Sequence, residues 1–250
     1  MTTSSPRPAS GALLPEPRTV HPHLAVPARP GRVRMDCHLH TVASGDSVTA
    51  ASDVVALAQA CGLDVIAVTD HHTVMAAMEL ADLVTQRDLP VRIVVGEEIR
   101  TPVGEIIGLF LSERVPYVLP LREAAQRVRD QGGVVYAPHP FDSQRHSLGE
   151  RGLEDLATHD LLDVVEGFNA KVPVPALNDT AVRVAGQLGR PVAAGSDAHD
   201  PEGIGAAFVE LDDFTDAASF LASLSTAQLA GGLFPHANRY LPRTSPTARL

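Results

Sequence analysis

Residues 32–211 read as an α/β protein built on a parallel sheet, of the size that an α/β barrel fills as one unit. Three observations predict this class. Short apolar, β-branched runs alternate with longer segments of helical period, the pattern of βαβ units. The chain has 250 residues, 44% of them apolar and none a tryptophan, so a single large core packed by Ala, Val, Leu and Ile is expected. Histidines and carboxylates also fall repeatedly just after the strand-like runs, where a barrel of parallel strands builds its active site.

The elements follow in order. Strands are expected near 32–37, 64–69, 91–97, 105–111, 133–137, 163–168, 191–195 and 206–211. Helices fit 50–61, closed by Gly62; 74–87, with Thr73 as N-cap; 121–131, before Gly132; 151–158; 176–188, closed by Gly189; and 214–224. Between the third and fourth strands "RTPVGE" reads as a turn, so one hairpin-like step interrupts the alternation. Residues 1–31 hold seven prolines among Ser, Gly and Arg and read as a tail. Residues 32–230 form the domain, and 231–250, again rich in Pro, Ser and Arg, a C-terminal extension.

A formal charge of -10 offers no global attraction to a nucleic-acid backbone or an anionic membrane. Cys37 and Cys61 are too few for a disulfide framework, and no run is long and apolar enough for a membrane span. A cytoplasmic location without membrane contact is the expectation.

The strand ends carry the chemistry. His38 and His40 follow the first strand; Asp70, His71 and His72 the second, in "VIAVTDHH"; Glu97 and Glu98 the third, in "IVVGEE". His139 follows the fifth, Asn169 the sixth, and Asp197 with His199 the seventh. Each piece alone is ordinary: His21 and His23, in the proline-rich stretch, repeat the His-x-His spacing, and Asp70, Glu98 and Asp197 also suit helix caps. Their shared topology points instead to a metal site.

These residues carry a resemblance. Asp36-Cys37-His38-Leu39-His40-Thr41 with Ser44-Gly45-Asp46, Thr69-Asp70-His71, Gly96-Glu97-Glu98, Pro138-His139-Pro140 and Gly195-Ser196-Asp197-Ala198-His199 resemble the successive motifs of the polymerase and histidinol phosphatase (PHP) family. The resemblance spans about residues 33–211. It implies a distorted (β/α)₇ TIM-like barrel and a site of two or three divalent ions, Mn, Fe or Zn, that hydrolyses phosphate esters. It also implies that His38, His40, Glu98 and Asp197 surround one ion, that Glu98 bridges to a second ion held by His139, and that Asp46, His71 and His199 hold a third. Asp46 stands where some members have histidine. No second histidine for the ion at His139 is evident, His146 being the nearest candidate.

Asp46, Glu98 and Asp197 sum to three negative charges, which two or three divalent ions turn to about +1 to +3. Such a pocket suits a small phosphorylated substrate, attacked by a hydroxide bridging two ions. Asp70 and Arg145 are the expected catalytic side chains; Arg145, Asn169 and Lys171 are the expected substrate contacts. The competing readings are a phosphodiesterase acting on short oligonucleotides, an amidohydrolase-type enzyme and a non-catalytic metal-stabilised domain. Oligomeric state is not legible.

Overall fold

The computed structural model describes residues 21–25 and 28–234. Nine strands and six α-helices alternate among them: β1 (Arg32–Leu39), α1 (Ala51–Ala60), β2 (Val65–Val68), α2 (Met75–Gln86), β3 (Arg92–Thr101), β4 (Gly104–Leu109) and α3 (Leu121–Asp130) come first. They are followed by β5 (Val134–Ala137), α4 (Gly149–Thr158), β6 (Val164–Asn169), α5 (Pro175–Gln187), β7 (Val192–Gly195), β8 (Ala207–Asp212), α6 (Ala217–Ser223) and β9 (Gln228–Gly231). All eight expected strands and all six helices are present. A ninth strand is added where the sequence had none assigned. Its run, "QLAG", is too short and too weakly apolar to stand out.

The sheet runs β7-β6-β5-β4-β3-β2-β1-β8-β9. Strands β1, β2 and β3 are parallel, β4 is antiparallel to both β3 and β5, and β5, β6 and β7 are parallel again. The hairpin read from "RTPVGE" is therefore real, with Thr101 paired to Gly104. Strand β8 runs antiparallel along the first half of β1, and β9 pairs with β8. Beyond that half, β1 turns to β7: the Asp197 amide donates to the His38 carbonyl at 2.7 Å, the His40 amide to the Ala198 carbonyl at 3.0 Å, and Leu39 bridges Ala198. The sheet is thus a nearly closed, barrel-like ring of seven strands, with β8 and β9 outside it.

Side chains divide by face. Met35, Cys37, Val65, Ala67, Val94, Ile107, Tyr136, Val164 and Ala193 pack in one cluster, while Leu39, Ile66 and Val68 pack against α1 and α2 in another. The alternation is that of strands buried on both sides. Helix α2 departs in detail from expectation. Its N-cap is Val74, with no side-chain cap; the Thr73 hydroxyl accepts instead from the Met75 amide, at 3.2 Å.

Most of the expected tail and extension lies outside the described residues. The part that is described is packed. Pro22–Ala25 form a 3-10 turn, Leu24 joins the cluster of α1 and α2, and Arg29 pairs with Glu210 at 2.6 Å. Replacing Leu24 with Ala should cost about 2 kcal/mol in chemical denaturation; a loss under about 0.5 kcal/mol would show that the turn contributes little.

The closure of β7 on β1 leaves no room at Gly195, where a Cβ would stand 2.3 Å from the His38 Cβ and 2.7 Å from Glu166 Oε1. Gly195→Ala should destabilise by about 1–3 kcal/mol. Gly186→Ala, on α5 with open space around it, should instead stabilise by about 0.5–1 kcal/mol. Urea titration of both variants measures the contrast, and equal shifts would mean that the seam tolerates a side chain.

Candidate metal centre

His38, in β1, and His40, one residue past its end, keep the strand's two-residue spacing, and both imidazoles turn to one side. His38 Nε2 and His40 Nε2 stand 3.0 Å apart. Both approach Glu98 Oε2, at 3.4 and 3.2 Å, and Asp197 Oδ1, at 3.7 and 3.6 Å. Glu98 Oε1 faces the other way, 3.1 Å from His139 Nε2. On the third side Asp46 Oδ2 lies 3.5 Å from His71 Nε2 and 3.2 Å from His199 Nε2, and the His40 ring stacks on His199 with centroids 4.2 Å apart. All eight expected ligands therefore come together, and apart from the partly exposed His71 they are buried.

Four groups of three or more donors have ligand atoms within 4.8 Å of one another: His40, Asp46, His71 and His199; His38, His139 and Asp197; His38, His40 and Glu98; and Glu98, Glu105 and His139. The division differs from the expected one in three respects. Asp197 groups with His38 and His139 and not with His38, His40 and Glu98. His40 also belongs with Asp46, and Glu105, absent from the expected set, completes the group around His139 where a histidine had been sought. His146 does not fill that place, since its Nε2 lies 2.8 Å from the Thr101 carbonyl oxygen.

The outer nitrogens say what the inner ones are for. His38 Nδ1 is 3.1 Å from Glu166 Oε1, His40 Nδ1 is 2.8 Å from Ser44 Oγ, His139 Nδ1 is 3.2 Å from Ser147 Oγ, and His199 Nδ1 is 2.9 Å from the Asp197 carbonyl oxygen. At His38, His40 and His139 a proton held outward on Nδ1 leaves the Nε2 lone pair pointing inward, the orientation of metal-binding histidines. Several lone pairs aimed at buried carboxylates repel unless positive charge sits among them. The donor set fits divalent cations.

The electrostatics agree. Burial opposes charging of His38, but Asp197, Glu166 and Glu98 outweigh it and hold its pKa well above the ordinary value. Burial likewise opposes the charge on Glu98, yet His71, His38 and the His139 contact pull it well below the usual carboxylate range. Burial, then the charge of Glu98, pushes Glu105 up to about 8. The field of the site favours cations.

The expected catalytic and substrate residues divide. Arg145 is at the cluster: its Nη1 donates to Asp197 Oδ2, and its Nε lies 3.4 Å from Asp142. Lys171 Nζ is 2.8 Å from His199 Nδ1 and 4.0 Å from Asp197 Oδ1. Asn169 is placed differently from the expectation of a substrate contact. Its amide nitrogen donates to Glu166 Oε2 at 2.8 Å and to Asp197 Oδ2 at 3.1 Å, which uses both protons, and its oxygen accepts from the Lys171 amide. Asp70 likewise stands behind the cluster, accepting from the Thr41 amide and hydroxyl at 2.6 and 2.8 Å. Both residues position their neighbours.

Glu166 is the largest omission from the sequence reading. This fully buried carboxylate accepts from the Tyr136 hydroxyl at 3.0 Å and the His139 amide at 2.6 Å, besides meeting His38 and Asn169. The available signal was an acid inside the apolar run "VVEGFN". Glu166→Gln would turn an amide N–H toward groups that now donate, and should weaken metal affinity about 10- to 100-fold. Titration with a chromophoric chelator measures this, and unchanged affinity would remove Glu166 from any role in orienting His38.

Comparison with known proteins agrees with this geometry. The PHP domain profile matches residues 36–128, and the PHP-associated profile matches residues 175–229. The uncharacterized protein MJ1587 of Methanocaldococcus jannaschii is 38% identical over 148 residues, covering 55% of this chain and 82% of that protein. Among solved structures, a two-domain protein of Bacteroides vulgatus containing a predicted PHP-like metal-dependent phosphoesterase superposes with a TM-score of 0.65 at 18% identity, over 83% of this chain and 67% of that one. PsfC of Pseudomonas syringae gives 0.61 at 18% identity, over 80% and 92%. At such identities the structural likeness is one of fold. Together with the two profiles, it makes this chain a member of the PHP family.

Proposed function

We propose that this protein hydrolyses a phosphate ester, a small phosphomonoester or nucleotide, using two or three divalent ions held by His38, His40, Asp46, His71, Glu98, His139, Asp197 and His199. The observation that carries the reading is the pair of faces on Glu98, with Oε1 toward His139 and Oε2 toward His38, His40 and His71. A carboxylate divided in this way suits two adjacent cations. When bound, the ions supply Lewis-acid stabilisation of the phosphoryl oxygens and lower the pKa of the attacking water.

The protein's own groups do the rest. Glu166 brings a fourth negative charge beside the three of Asp46, Glu98 and Asp197, and Arg145, bonded to Asp197, returns one positive charge. Lys171, also beside Asp197, returns a second, so with two or three divalent ions the balance stands at about +2 to +4, favourable to a phosphate. Arg145 and Lys171, both beside Asp197, would hold its oxygens. The serines near the site are committed elsewhere. Ser44 Oγ meets His40 and the His71 amide, Ser47 Oγ donates to the His40 carbonyl, and Ser196 Oγ to the His38 carbonyl. This supports direct attack by water over a serine nucleophile. The acidic chain favours short substrates over long nucleic acid.

Glu97 supplies the control. It points to the opposite side of β3, where Oε2 accepts from the Val115 amide at 2.8 Å, and burial pushes its pKa up to about 7. Glu98→Gln should lower bound metal and reduce kcat by at least about 100-fold, whereas Glu97→Gln keeps the acceptor and should leave metal content near that of the wild type. Elemental analysis with a phosphate-release screen over monoesters, nucleotides and short oligonucleotides tests both statements. Metal-loaded protein that releases no phosphate from any of them would end the phosphoesterase reading.

A further inference from the structure

The cluster meets solvent at His71, whose side chain is 25% exposed while those of His38, His40, His139 and His199 are at most 3% exposed. What lies beside His71 therefore borders the way in. The next residue, His72, has a left-handed backbone, with a φ of 58°, and its amide donates to the Glu98 carbonyl at 3.1 Å. Its ring centroid is 6.1 Å from that of His71 and 4.2 Å from that of Tyr117, on the connection between β4 and α3. Tyr117 is 54% exposed.

Its ring centroid thus lies no more than about 10 Å from that of His71. That is comparable with the reach of a nucleoside monophosphate from phosphorus to base. A tyrosine with one side against a histidine and more than half its surface open contributes little to the core, but it offers a flat apolar face. Arg114 lies three residues before it, half exposed, with its Nε 3.8 Å from Glu97 Oε1. An exposed aromatic ring of this kind is a surface on which bases stack.

We propose that Tyr117, whose ring meets that of His72 at a tilt of 56°, is a stacking platform for the leaving group, and that the substrate is a phosphate ester whose leaving group ends in a planar aromatic ring. A nucleoside monophosphate and an aryl phosphate share this chemistry. The inference rests on the phosphoesterase reading of the metal cluster and deepens it. Aliphatic esters, such as a glycerol phosphate, would have only the phosphate to hold them.

The test compares kcat/KM for adenosine monophosphate, phenyl phosphate and glycerol phosphate in metal-loaded wild type, Tyr117→Ala, Tyr117→Leu and Tyr117→Phe. Wild type should prefer adenosine monophosphate to glycerol phosphate. Their ratio should fall about tenfold in the Ala and Leu variants, and Phe should restore it. A matching fall for phenyl phosphate assigns the platform to any flat ring, and a fall for the nucleotide alone assigns it to a base. A ratio unmoved by Tyr117→Ala overturns the proposal. If wild type turns over no ester, the phosphoesterase reading fails first. Calorimetric binding of adenosine monophosphate to wild type and Tyr117→Ala then decides separately: no binding, or equal affinity in the two, overturns the platform as well.

Discussion

A carboxylate buried as deeply as Glu98 must be compensated, and the end of the barrel is arranged around that need. In an apolar interior an unpaired carboxylate would protonate. Here its two oxygens are met by four histidines drawn from the end of β1 and the residue just past it, from the loop after β2 and from the loop after β5. Those histidines are neutral ligands only if their outer nitrogens are held, and Glu166, Ser44 and Ser147 hold three of them. Glu166 is itself fixed by Tyr136, Asn169 and the His139 amide. Such a chain of dependence leaves few side chains at this end of the barrel free to change alone.

The same constraint explains the irregular third strand. Strand β3 continues past the barrel rim, parallel to β2 as far as Val95 and then paired antiparallel with β4 from Gly96 to Thr101. Glu98 therefore sits inside a strand, and its orientation is fixed by the two-residue period of the hairpin. Neighbouring Glu97 is sent to the other side, against Val115. The antiparallel return also carries Glu105 back toward Glu98 and His139. A parallel crossover at this point would have delivered a different residue.

Much of this was legible in the sequence because the barrel follows a simple rule. Apolar runs of four to eight residues predict strands, and polar ligand types just beyond them predict a site, so His38, His40, His71, His139, Asp197 and His199 could be picked out without coordinates. Glu105 escaped the rule for a physical reason: it lies near the start of β4, and an antiparallel strand presents its beginning to the face where its parallel neighbours end. Glu166 escaped because it is in the middle of β6 and only its buried partners reveal what it does. Asn169, expected to contact substrate, and Asp70, expected to be catalytic, are both bonded to neighbouring protein groups. Residue type and strand end do not say whether a polar group faces the pocket or supports the group that does.

The two His-x-His pairs make the point within one chain. His21 and His23 have the spacing of His38 and His40, and their rings also stack, with centroids 5.5 Å apart. They meet no carboxylate cluster among the described residues. His21 Nε2 lies 3.0 Å from the Glu202 carbonyl oxygen and His23 Nε2 lies 2.8 Å from that of Gly205, so both inner nitrogens face backbone acceptors. A nitrogen that donates to a carbonyl has no lone pair left to offer a metal. The pair instead ties the turn at Pro22–Ala25 to the loop that follows His199, close to Leu24 in the core. Spacing alone places two rings side by side; the carboxylates gathered around His38 and His40, and not around His21 and His23 among the described residues, separate the candidate ligands from the fasteners.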